Sequence, residues 1–385
     1  MSESRSTIRS SYMEFAKLRS HAQYSLATSG VMNYPLADLP VSLADLEVSG
    51  PSFYGYAPLL ERLAAKCGTR PECVVHATGT SMANHLAMAA SFEPGDEVLI
   101  EHPTYELVVT AALYLGADVR RFPRRFEQDF RLDAQEVERH VTPRTRLIVV
   151  TNLHNPSGAP ADEAALRRVG EIAAAVGARV LVDEVYLEAD FSRHMPSAFR
   201  LDERRFIVTS SLTKAYGLSG LRCGWALAEP EMARRMWRIN DLYGVIPAHA
   251  AERLSVIALD NLDRISRRAH ALLETNRILL QRFFDSRRDL AVYRPNIATI
   301  AFPRLLAPHH TEPDSSGERA PLAPTAVDRL CGLLREKYET SVVPGRFFEM
   351  PDHFRLGIGG STEITAEALA RLGAALDELA EEVEG

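Results

Sequence analysis

The feature that most constrains this chain is an alternation running from about Pro58 to about Arg238, in which short apolar runs are separated by amphipathic stretches of helical length. The runs are Glu97–Glu101, Arg146–Thr151, Arg179–Asp183 and Phe206–Ser210. Each is nearly unbroken in apolar residues, as expected of strands buried on both faces, and stretches such as 162–176 supply the covering helices. A mostly parallel sheet between helices follows, and in such α/β sheets functional groups gather just past the carboxyl ends of the strands. After about residue 285 the pattern changes to a strand at 297–302, a polar, Pro-rich stretch at 307–324, a helix at 327–337, two short strands and a closing helix at 367–382. This reads as a second, smaller α+β domain. The pair His309-His310 falls in loop composition without further ligands at fixed spacing, so it reads as solvated and not as a metal site.

The totals narrow the function classes. A chain of 385 residues with 46% hydrophobic and 25% charged content is long enough for about two globular domains. The 44 Lys+Arg against 51 Asp+Glu give a net charge of -7. The one basic run, Arg120 to Phe126, is flanked by Asp118, Glu127 and Asp129, so neither nucleic acid nor an anionic membrane is expected as a partner. The longest apolar stretches, such as Val108–Leu115, are too short to span a bilayer, and the polar start Met1–Arg9 lacks the apolar core of a leader. Four scattered cysteines (Cys67, Cys73, Cys223, Cys331) predict free thiols and a cytoplasmic location.

The segment Ser210-Ser-Leu-Thr-Lys214-Ala-Tyr-Gly-Leu-Ser-Gly-Leu-Arg222-Cys-Gly-Trp225 follows a buried strand and sets a lone lysine among small and apolar residues. Desolvation lowers a lysine's pKa and makes its amine nucleophilic, which Schiff-base chemistry requires. Ser211 and Arg222 supply the hydroxyl and the guanidinium fork that an anionic phosphate needs.

This segment resembles the Schiff-base signature of the class I and II aminotransferases, the fold-type I enzymes dependent on pyridoxal 5′-phosphate (PLP). Further stretches resemble the same family in the same order. In Asp183-Glu-Val-Tyr186 the resemblance assigns Asp183 to the pyridine nitrogen, where a carboxylate keeps that nitrogen protonated, and Tyr186 to the phenolic oxygen. Asn155, in Asn155-Pro156-Ser-Gly158, is assigned to the same oxygen. Ala77-Thr-Gly79-Thr80-Ser81 is a glycine turn opening a helix, whose free N–H groups and dipole suit the phosphate. Tyr105 falls where an aromatic residue stacks on the cofactor ring, and Arg355 where the substrate α-carboxylate is bound by a planar fork. Tyr54 resembles the tyrosine that reaches the neighbouring subunit's phosphate, with Tyr56 as the alternative. Gly30, in Leu26-Ala-Thr-Ser-Gly30-Val31, resembles the substrate-side glycine, where the backbone can approach closely.

The resemblance implies a fold-type I architecture: a large domain (45–285) with a mostly parallel seven-stranded sheet, and a small domain built from the N-terminal segment (1–44) and the C-terminal part (286–385). It also implies a homodimer with shared active sites. The expected reaction is ping-pong transfer of an amino group from an L-amino acid to a 2-oxo acid through a Lys214 aldimine, with no metal. The same residues also support β-elimination or other bond changes at Cα. The side chain of the amino donor is not legible in the sequence.

Overall fold

The computed structural model describes residues 8–191, 195–306 and 325–384; the His309-His310 pair lies outside them. The N-terminal segment holds helix α1 (Ser11–Leu18) and the two-residue strand β1 (Tyr24–Ser25). Seven strands then form the main sheet: β2 (Val74–Thr78), β3 (Glu97–His102), β4 (Asp118–Pro123), β5 (Thr145–Thr151), β6 (Arg179–Asp183), β7 (Phe206–Ser211) and β8 (Cys223–Leu227). Their order is β2-β8-β7-β6-β5-β3-β4. Neighbours run parallel except β8, which is antiparallel to both β2 and β7.

The four apolar runs of the sequence are the adjacent strands β3, β5, β6 and β7, sealed on both faces by helices. The basic run is in part the edge strand β4. Phe122 points into the core while Arg120 and Arg121 stay partly exposed, the alternation of a half-buried edge strand protected by charge. Helices α2 (Ala57–Cys67), α3 (Gly79–Ser91), α4 (Glu106–Tyr114), α5 (Ala134–His140), α6 (Glu163–Ala175), α7 (Pro230–Asn240) and α8 (His249–Asp260) cover the sheet. Asp162 caps α6 by accepting from Ala165 N–H, which satisfies a free donor of the first turn.

Helix α9 (Leu262–Ser286) is the link to the second core. Its Leu262 and Ile265 pack in the core of the main sheet, and its Leu273, Leu280 and Phe284 pack with Leu330, Leu356, Leu372 and Leu376. The remaining elements are β9 (Leu290–Ala291), β10 (Ile300–Ala301), β11 (Arg304–Leu305), α10 (Ala326–Glu336), β12 (Thr340–Ser341), β13 (Val343–Pro344), β14 (Phe354–Gly357) and α11 (Thr362–Glu384). The expected strand at 297–302 is thus reduced to β10, and the closing helix starts earlier than its leucine stripe suggests. Leu26 and Val31 join the second core, and β1 pairs in parallel with β12. The N-terminal segment is therefore fastened to the C-terminal part of the chain.

Candidate active site

Lys214 lies in the loop between β7 and β8, and its Nζ donates to Ser29 Oγ at 2.8 Å. Burial, reinforced by the nearby charges of Arg355 and Arg222, lowers its pKa to about 8, with Asp183 opposing the shift. Asp183 ends β6 and is buried. Its Oδ2 accepts from Asn84 Nδ2 at 2.8 Å and its Oδ1 from Val185 N–H at 3.1 Å. Thr209, its neighbour in register on β7, donates to Asn84 Oδ1 at 2.5 Å, so the Asn84 amide is held with its N–H toward the carboxylate. Burial raises Asp183 to about 6 despite these donors and the charge of Lys214. Tyr186, also buried, is raised by burial to about 12, with Arg355 and a hydrogen bond to Ser29 pulling the other way.

One end of this cluster is built for an anion. Gly79 opens α3 at φ +78°, and a Cβ there would lie 2.3 Å from Arg222 Nη2, so only glycine admits the guanidinium over this turn. Arg222 Nη2 donates to the Thr78 carbonyl at 3.2 Å, and Gly79 N–H donates to the Arg222 carbonyl at 2.9 Å. Thr80 Oγ1 is buried with no hydrogen-bond partner among the described residues, in the first turn of α3, while Ser81 beside it is exposed. Ser211, buried at the end of β7, accepts from Thr213 N–H. A helix start, three hydroxyls, an orphaned buried one among them, and a guanidinium match a phosphate group.

The other end carries Arg355, on β14 and 1% exposed. Its Nη1 donates to Asn155 Oδ1 at 3.1 Å and its Nη2 to Tyr12 Oη at 2.8 Å. With its oxygen committed to Arg355, Asn155 has its amide N–H groups left to offer. The turn that carries Asn155 is anchored below: Asn155 N–H donates to Thr151 Oγ1, and Thr151 donates through N–H and Oγ1 to Glu101, which is paired with the fully buried Arg124 at 2.9 Å. Tyr105 meets Tyr12 edge to face at 5.4 Å, and burial raises its pKa. Helix α1 brings Tyr12 here because Glu106 accepts from Tyr12 N–H and Ser10 Oγ.

Lys214, Asp183, Tyr186, Asn155, Tyr105 and Arg355 thus converge, with Gly79, Thr80, Ser81, Ser211 and Arg222 gathered at one end. Gly30 packs on the lysine itself: a Cβ there would lie 3.2 Å from Lys214 Cα. Tyr54 lies elsewhere on the surface, against Asp241 and Trp237, and Tyr56 meets His249 edge to face. Ser29, Asn84, Thr209 and Tyr12 were not expected from the sequence. Asn84 had a signal, a lone amide inside the apolar helical run 82–90; Tyr12 had none. Among the described residues no cluster of metal ligands occurs, none of the four cysteines forms a disulfide, and no helix is long and apolar enough to cross a membrane.

Comparison with known proteins identifies the family. The family model described as aminotransferase class I and II matches residues 48–372. The chain is 31% identical over 348 residues to the capreomycidine synthase of Streptomyces vinaceus, a match covering 87% of this chain and 85% of that protein. A solved PLP-dependent aminotransferase from Streptococcus suis shares the fold, with a TM-score of 0.86 at 24% identity over 97% of this chain and 99% of that one. The PLP-dependent cyclase OrfR superimposes with a TM-score of 0.83 at 25% identity over 96% and 97% of the two chains. The protein belongs to the class I and II aminotransferase family. Its fold is that of the fold-type I enzymes, and its cofactor is pyridoxal 5′-phosphate.

Proposed function

We propose that the protein transfers the amino group of an L-amino acid to a 2-oxo acid in two half-reactions at one site. The observation that carries this reading is the cluster of Lys214, an amine of lowered pKa, with the buried carboxylate of Asp183 and the buried fork of Arg355. Lys214 would hold PLP covalently, Asp183 would face its pyridine nitrogen, and Asn155 and Tyr186 its phenolic oxygen. Tyr105 would cover the ring, while Gly79, Thr80, Ser81, Ser211 and Arg222 would take the phosphate, joined by Tyr54 of a second subunit. When bound, PLP withdraws electrons from the substrate Cα and makes its proton acidic.

The chain's own groups do the rest. Arg355 fixes the substrate α-carboxylate through paired N–H bonds, which orients Cα toward Lys214. Lys214 Nζ, whose lowered pKa of about 8 lets it lose its proton close to neutral pH, would remove the Cα proton and return it as general base and then acid. Asp183 keeps a proton on the ring nitrogen. Substrates are accordingly an amino acid and a 2-oxo acid.

A second reading, β-elimination or another bond change at Cα, is favoured by the likeness to capreomycidine synthase and OrfR. The test is the absorption spectrum of the purified holoenzyme with a panel of amino acids and no oxo acid. Transamination predicts one equivalent of 2-oxo acid per site, then turnover only when an acceptor is added. Continuous release of ammonia without an acceptor would replace it with the second reading.

The same proposal includes a homodimer, supported by exposed apolar side chains such as Leu43, Val48, Phe53 and Leu242, and a cytoplasmic location, supported by the free thiols. It divides the chain into 1–44 and 286–385 as the small domain and 45–285 as the large one, supported by the separate cores and the β1–β12 pairing.

A further inference from the structure

We infer that Ser29 is a positioning residue for Lys214: its uncharged hydroxyl holds the ε-amine in place for the substrate Cα. This rests on Lys214 being the group that moves the Cα proton. Lysine has four rotatable side-chain bonds, and a base that swings freely spends little time at its target. Here Nζ is tethered to Ser29 Oγ at 2.8 Å, and Ser29 is only 6% exposed.

The tether itself cannot drift. Val31 N–H donates to the Lys214 carbonyl at 2.7 Å, Met32 N–H to the Gly359 carbonyl at 2.7 Å, and Thr299 Oγ1 to the Ser29 carbonyl at 2.8 Å. Backbone packs on backbone around it, since a Cβ on Gly357 would lie 1.9 Å from the Thr28 carbonyl oxygen and one on Gly359 2.1 Å from that of Gly30. Ser29 is thereby held both to the lysine's own peptide and to the strand that carries Arg355.

The chemistry of the partner decides the amine's state. A carboxylate at this distance would raise the pKa of Nζ, whereas a hydroxyl carries no charge and leaves it lowered, at about 8.

The test is exchange of the substrate Cα proton with deuterated water, followed by NMR on the holoenzyme, because this step precedes both transamination and elimination. Ser29→Ala is expected to slow exchange by about ten- to a hundredfold with PLP affinity unchanged, and Ser29→Thr, which keeps the hydroxyl, to restore it. In the apoenzyme, amine-selective labelling of Lys214 against pH should shift to a lower midpoint in Ser29→Ala, since the ammonium form loses its acceptor. Exchange and labelling like wild type in Ser29→Ala, or equal loss of PLP binding in the Ala and Thr variants, overturns the proposal. Wild-type exchange in Lys214→Ala would overturn the role of Lys214 as well, a result distinct from failure of Ser29 alone.

Discussion

Lys214 and Lys66 are buried on opposite sides of strand β7, and their environments drive them in opposite directions. Thr209 turns toward the Asn84–Asp183 pair of the active site, while Ser210, the next residue, turns to the other face and donates to Glu188. On that other face a cavity of about 550 Å³ holds Lys66, whose Nζ lies 2.6 Å from Glu188 Oε2 and over the Tyr216 and Trp225 rings. Burial would lower the Lys66 pKa, but the charge of Glu188, aided by Tyr216, overrides it and raises the value. Lys214 has the same burial, a neutral hydroxyl as its direct partner and two guanidinium groups nearby, and it falls to about 8. Whether a buried lysine becomes structural or reactive is set by the charge of the group it touches.

Substitutions at the two lysines are the sharpest way to break this contrast. Lys214→Ala should lower turnover by about 10²- to 10⁴-fold, the usual worth of a positioned acid–base group, measured as amino acid consumed by folded enzyme. Lys66→Met should instead leave turnover of the folded enzyme intact and cost about 3–5 kcal/mol in denaturant unfolding, because Glu188 is left buried and unpaired. Adding Glu188→Leu should recover most of that loss. Equal effects of the two lysine variants on turnover would end the distinction. Arg355→Lys keeps charge but loses the fork, and should weaken carboxylate binding by about 1.5–3 kcal/mol, read as a higher KM.

The smallest effect is in pH dependence, and there the two lysines have opposite signs. Lys214 in the folded apoenzyme titrates near 8, below its ordinary 10.5, so folding is penalised below pH 8 and the penalty lifts as pH rises to 10.5. Lys214→Met should therefore raise the apoenzyme's Tm at pH 7, with the gain gone by pH 10.5. Lys66, raised above 10.5, contributes stability that is complete below that pH and is lost only as pH climbs through the higher folded value. A Tm series from pH 7 to 11 on both variants checks the two slopes.

Much of the fold was legible because strands buried on both faces must be apolar along their whole length, which is how β3, β5, β6 and β7 announced themselves. Edge strand β4 was hidden by its arginines, and β2 and β8 by short runs rich in small and polar residues. Lys214, Asp183, Asn155 and Arg222 stood in local motifs, since each sits at or near the end of a strand, where a few neighbouring residues shape the turn. Ser29 could not be read in this way: it meets Lys214 across 185 residues, and Tyr12 meets Arg355 across 343.

The amino-acid order alone determined the class of sheet and marked out Lys214 and the residues proposed for a phosphate, because burial patterns and turn chemistry are local. Tertiary structure decided which lysine is reactive and which is inert, and which hydroxyl holds the reactive one. Those outcomes depend on the charge and distance of groups far apart in the chain, and electrostatics in a buried site is governed by neighbours in space.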